Sequence, residues 1–132
     1  MQTWDSSLLI GVKAIDEQHK ALFDEIHFLQ GQISAGHGQH VVDGVLSFMD
    51  KYVAEHFEIE EALMESLDYP EIEAHRREHQ RFIGKSLRFE LDIHAGDANL
   101  PQNMLDFFTN WLIQHIGSSD KQLGAYINGN AR

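Results

Sequence analysis

The sequence predicts an all-α protein: an up-down-up-down four-helix bundle with an irregular N-terminal arm and a short C-terminal tail. Three observations carry that expectation. Apolar residues recur at helical spacing over four long stretches. Short breaks marked by glycine or proline separate the stretches. No segment alternates polar and apolar residues as a half-buried strand does. Helices of roughly 15 to 25 residues joined by such short loops pack as antiparallel neighbours.

Residues 1–15 read as the arm, with Trp4, Leu8, Leu9 and Ile10 available to pack along the bundle. The bundle itself is expected over residues 16–117. Its first helix opens at Asp16, a candidate N-cap, and carries His19, Leu22, Phe23, Ile26, Leu29 and Ile33 before the Gly36–Gly38 loop. The second carries Val41, Val45, Met49, Val53, His56, Glu60 and Met64 on one stripe. Pro70 suits the first position of the third helix, which continues through Ile72, His75, His79, Phe82, Phe89 and Ile93 to a break at Gly96–Asp97. The fourth starts near Pro101 and includes Met104, Leu105, Phe108, Trp111, Leu112 and His115. Residues 118–132 leave room for one or two further helical turns. The 132 residues suit one core and are too few for two, so a single domain is expected.

Composition removes several classes of function. The absence of cysteine rules out disulfides, thiolate zinc sites and iron–sulfur clusters, so a bound metal must use nitrogen and oxygen ligands. A net charge of −11 with no basic cluster repels phosphates and anionic lipid heads, which speaks against nucleic-acid and membrane partners. No apolar run is long enough to span a bilayer. The first residues lack the basic start and apolar stretch of a signal peptide, making the cytoplasm the expected location.

The nine histidines are the unusual feature. His56 and Glu60 are four residues apart and share a helix face, as do His75 and His79. His19 lies on the apolar stripe of the first helix, and His115 continues that of the fourth. A lone histidine on such a stripe is ordinarily a hydrogen-bonded core residue. Five of them with a carboxylate, aimed inward from all four helices, would each need a partner or cost a few kcal/mol. A shared metal removes that cost. Glu60 keeps the inward face, whereas Glu61 is turned about 140° from His56 at 100° per residue and joins Glu55, Glu58 and Glu65 on a solvated acidic face.

Asp120, five residues after His115, reads on spacing alone as an exposed acid. A ligand count brings it inward. Two irons of octahedral preference need about twelve positions. Five imidazoles, two bridging carboxylates and a bridging oxide or hydroxide fill all but one. Asp120 reaches the site only if the backbone bulges or unwinds across Gly117, Ser118 and Ser119. With His75, His79 and His115 on one iron and His19 and His56 on the other, the vacancy falls on the two-histidine iron, where a diatomic ligand can enter.

These residues resemble the hemerythrin family, in its single-domain bacterial form. The matching pieces are Ile15–His19 (IDEQH), His56–Glu61 (HFEIEE), His75–His79 (HRREH) and Trp111–Asp120 (WLIQHIGSSD), with Trp4 and Gly11 similar to the family's arm. The resemblance spans essentially the whole chain. It implies two non-haem irons cycling between Fe2+ and Fe3+ with an oxo or hydroxo bridge, held by His19, His56, Glu60, His75, His79, His115 and Asp120. It further implies that dioxygen binds reversibly, for transport, storage or delivery, at a monomer serving an oxygen-consuming enzyme or a signalling protein. Trp111, Leu112 and Ile116 would wall the ligand pocket, with Phe57 and Phe82 adding to it. His27, His37, His40 and His94 match no ligand position and are expected at the surface.

Two other functions compete. A di-iron oxidase, peroxidase or nitric-oxide enzyme could use the same bundle, but the Glu-x-x-His motif of ferritin-like oxidases is missing. An oxygen or redox sensor would need to act through a separate partner.

Overall fold

The computed structural model describes residues 8–130. Helix α1 spans Lys13–Ser34, α2 Gly38–Ser66, α3 Ile72–Ala95 and α4 Leu100–Gln114; a π-helical turn, His115–Asp120, then leads directly into α5, Lys121–Asn130. Helix α1 packs against α2 and α4, and α3 packs against α2 and α4. Connections of a few residues make sequential neighbours antiparallel, giving the expected up-down-up-down bundle. Among the described residues there is no strand.

The stripes seen in the sequence form the core. Leu22, Phe23, Ile26 and Leu29 of α1 meet Val45, Leu46 and Met49 of α2 and Met104 and Phe108 of α4 in one cluster. A smaller cluster gathers Met64, Tyr69 and Leu123, with Tyr126 against them. Along α2, α3 and the α4–α5 run, the polar inward residues lie between the two clusters. Apolar packing on both sides therefore clamps the layer that carries the histidines.

Several boundaries differ from expectation for local reasons. Helix α1 begins four residues early, with Val12 rather than Asp16 as its N-cap. Asp16 instead sits in the first turn and accepts the Ile10 N–H at 2.8 Å and the Gly11 N–H at 3.3 Å, tying the arm to the helix. Pro70 is not the first residue of α3; it lies in the preceding turn, and Glu71 is the N-cap. Gly96 closes α3 in the left-handed conformation at φ 70°, where a side chain would be strained. In the arm, Leu8 and Ile10 are buried while Leu9 points outward; Trp4 falls outside the described residues.

The tail is more than a turn or two. Helix α5 continues the α4 run past the π turn, and Gly124 lies directly on the Ile10 backbone, where a Cβ would collide with the Ile10 carbonyl oxygen and carbon. Gly84, by contrast, has open space around it. Gly124→Ala is therefore expected to destabilise the fold by about 1–3 kcal/mol through overpacking. Gly84→Ala should stabilise it by about 0.5–1 kcal/mol through helix propensity. Urea unfolding of the two variants checks both signs, and a neutral Gly124→Ala would show that the arm does not hold this position.

Candidate metal centre

Each helix of the bundle delivers polar groups to one buried layer. Helix α1 contributes His19, α2 His56 and Glu60, α3 His75 and His79, and the π turn His115 and Asp120. None of the seven is more than 2% exposed. The four-residue spacings put each α2 and α3 pair on one face, as expected. His115 and Asp120 open and close the π turn, whose i→i+5 bonding brings the fifth residue back to the face that an α-helix would turn away. The bulge expected across Gly117–Ser119 is therefore present.

The side chains converge in two groups. Glu60, His75, His79, His115 and Asp120 offer ligand atoms within 4.8 Å of one another, and so do His19, His56, Glu60 and Asp120. Glu60 and Asp120 belong to both groups. One group thus has three imidazoles, the other two, and the same two carboxylates lie between them.

Distances within the layer suit metal ligands better than a hydrogen-bond network. His19 Nε2 and His56 Nε2 are 3.0 Å apart, and His79 Nε2 and His115 Nε2 are 3.2 Å apart. His79 donates its Nδ1–H to Glu61 Oε2 at 2.9 Å, and His115 donates its Nδ1–H to Glu78 Oε1 at 2.8 Å. In their neutral forms these two rings therefore turn bare Nε2 lone pairs toward each other, a contact that needs a cation or proton beside it. Asp120 lies 2.9 Å from His19 Nε2 and from His75 Nε2 and 3.0 Å from His115 Nε2. Yet neither Asp120 oxygen, nor Glu60 Oε2, has a well-directed hydrogen bond among the described residues. Buried carboxylate oxygens left so would be costly. Imidazole nitrogens and carboxylate oxygens without thiolate suit iron in this layer.

Electrostatics describe the same layer before metal enters. Burial opposes a charge on His115, but the Asp120 carboxylate beside it outweighs that and lifts its pKa to about 11. His75 is likewise opposed by burial yet raised to about 9 by Asp120 and Glu60. Burial holds His56 down to about 4. Burial and Asp120 both disfavour the Glu60 anion, but the facing imidazoles bring it to about 2. Asp120 ends well below its ordinary value, because the His115 charge outweighs its desolvation. The carboxylates are thus drawn toward their anions and two of the facing imidazoles, His75 and His115, toward the charged form.

An outer layer of acceptors, not anticipated from spacing, holds the imidazoles from behind. Glu61 belongs to it rather than to a solvated face: besides accepting from His79, it pairs with Arg76 Nε at 3.2 Å. Arg76 also bonds Glu65, and Glu73 at 3.0 Å. Glu78 accepts the Ser119 hydroxyl with its second oxygen; burial would raise its pKa, but the hydrogen bonds from His115 and Ser119 pull it down overall. His56 Nδ1 faces Gln18 Oε1. Each of these acceptors is next in sequence to an inward residue on its own helix, yet serves a ring on another helix. A 100° step turns it toward the adjoining helix, and that adjacency is the signal the sequence carries.

Of the three residues expected to wall a ligand pocket, Trp111 lies against the cluster, and Leu112 and Ile116 belong to the apolar core. Leu112 and Ile116 are buried, and Trp111 stacks on His115 with ring centroids 4.4 Å apart. Phe57 stacks on His79 at 3.7 Å, and Phe82 meets Trp111 edge-on at 4.8 Å. Of the remaining histidines, His37, His40 and His94 are exposed as expected. His27 is half-buried, with its Nε2 enclosed and lacking a partner among the described residues.

Comparison with known proteins follows the same lines. A family model described as the hemerythrin HHE cation binding domain matches residues 10–127. The bacteriohemerythrin of Methylococcus capsulatus is 30% identical over 129 residues, covering 97% of this chain and 98% of that protein. Myohemerythrin-1 of Phascolopsis gouldii is 29% identical over 118 residues, covering 89% and 87%. A crystal structure of wild-type hemerythrin superposes with a TM-score of 0.84 at 30% identity, over 95% of this chain and 96% of that one.

Because His75 and His115 carry protons in the metal-free cluster, zinc uptake near ~pH 7 should release protons, and its apparent affinity should rise with pH. Calorimetric titration in buffers of different ionisation enthalpy counts the protons. Uptake with no release would show that the two rings are neutral before metal arrives.

Proposed function

This chain belongs to the hemerythrin family, and on that footing we propose that residues 1–132 are one domain that binds dioxygen reversibly at a non-haem di-iron centre. The observation that carries this reading is the pair of buried donor groups sharing Glu60 and Asp120. His75, His79 and His115 would hold one iron and His19 and His56 the other, with Glu60 and Asp120 available to both. Two bridged irons supply the electrons and the coordination position that reversible oxygen binding requires.

The residues of the chain do the remainder. The group with only two imidazoles has one donor fewer than its neighbour, so entry of a diatomic ligand belongs on the His19–His56 side. Leu112, Ile116 and Trp111 exclude water and protons from the layer, which would otherwise intercept the bound gas and leave the irons oxidised. Five neutral imidazoles donate less charge than a carboxylate-rich set, which favours carrying oxygen over activating it. The reading is of an oxygen carrier or store rather than an enzyme, working as a cytoplasmic monomer that exchanges the gas with an oxygen-consuming partner.

Spectra of the reduced, iron-loaded protein under argon, in air and again under argon test the proposal. A visible ligand-to-iron charge-transfer band should appear in air and vanish on removing oxygen, at about two irons per chain. Irreversible conversion to a ferric spectrum on first exposure would favour a redox enzyme or sensor. Asp120→Ala is expected to lose stable two-iron occupancy; full iron content and normal oxygen binding would refute its role as a bridge. Leu112→Ala should keep iron while costing about 2–5 kcal/mol of stability and autoxidising several-fold (~) faster. Unchanged autoxidation would remove Leu112 from the pocket wall.

A further inference from the structure

The acceptors behind three of the imidazoles, His79, His115 and His56, differ in charge. In the three-imidazole group, His79 and His115 each donate Nδ1–H to a carboxylate, Glu61 and Glu78. In the two-imidazole group, His56 faces the neutral amide oxygen of Gln18. A carboxylate acceptor draws the Nδ1 proton and makes the ring more basic at Nε2, which favours the more highly charged state of a bound metal; an amide does so far less.

The two carboxylates are themselves differently held. The second oxygen of Glu61 pairs with the Arg76 guanidinium at 3.2 Å, so part of its charge is already neutralised. The second oxygen of Glu78 accepts the Ser119 hydroxyl, a neutral donor. Ser119 lies in the π turn that places Asp120, so one backbone irregularity supplies both a bridging carboxylate and the clamp on Glu78.

We propose that Glu78 and Glu61 are positioning residues that bias the three-imidazole pocket toward the ferric state, Glu78 more strongly, while Gln18 leaves His56, on the oxygen side, without that bias. The inference rests on the di-iron reading above. It gives the two irons unequal tasks: one is easily oxidised, the other is kept from losing its electron outside oxygen binding.

Reductive titration of the iron-loaded full chain, with iron analysis, tests it. Glu78→Gln preserves size and an acceptor oxygen while removing the charge. It should raise the ferric–ferrous midpoint by up to a tenfold shift in equilibrium, about 59 mV for a one-electron step. Glu61→Gln should raise it less, because Arg76 already offsets that charge. Gln18→Glu should move the midpoint the opposite way and speed autoxidation. Unmoved midpoints with iron retained would overturn the inference, as would a Gln18→Glu shift of the same sign as Glu78→Gln. Should Glu78→Gln fail to hold iron, the opposed signs expected of Glu61→Gln and Gln18→Glu still decide. A wild-type chain that never takes up two irons would overturn the di-iron reading first, and this inference with it.

Discussion

Two carboxylates enclosed in an apolar bundle set the terms for everything around them. Glu60 and Asp120 are fully buried, and such groups survive only where positive charge surrounds them closely. Five imidazoles provide that surround. Asp120 and Glu60 raise the pKa of two of these rings, His75 and His115, against the opposing effect of burial. Within each of the two groups the donor atoms lie within 4.8 Å of one another, so the layer presents a preorganised ligand set.

That arrangement demands strict positioning, and the fold meets it with packing rather than with loops. Apolar clusters lie on either side of the polar layer along α2, α3 and the α4–α5 run. Aromatic rings reach into the layer: Phe57 on His79 and Trp111 on His115 pin the imidazole planes while keeping water out. Hydrogen bonds from Nδ1 to Glu61, Glu78 and Gln18 fix which nitrogen faces inward. Each ring of the three is thus held by a stack, a hydrogen bond or both.

The seven inward residues and their order along four amphipathic stripes were legible in the sequence. Spacing of four places two side chains on one helix face whatever the tertiary context, so His56–Glu60 and His75–His79 could be paired with no structure at all. Asp120 was legible only through a ligand count. The outer acceptors were not legible: Glu61 reads as part of an acidic, solvated face until α3 is seen beside it, with Arg76 covering its outer side. His27 failed in the opposite direction, since its enclosure depends on neighbours that periodicity does not reveal.

By itself the sequence determined the helical class, the four stripes, the nitrogen and oxygen chemistry of the ligand set and the need for a backbone irregularity after His115. All of these follow from local rules: side-chain period, ligand softness and the 100° step. Tertiary structure alone decided that the irregularity is a π turn continuing into a ten-residue helix. It also decided that the arm meets α5 at Gly124, and which acceptors back His56, His79 and His115. Those outcomes depend on which helix faces which, and that is set by summed packing across the bundle rather than by any short stretch of chain.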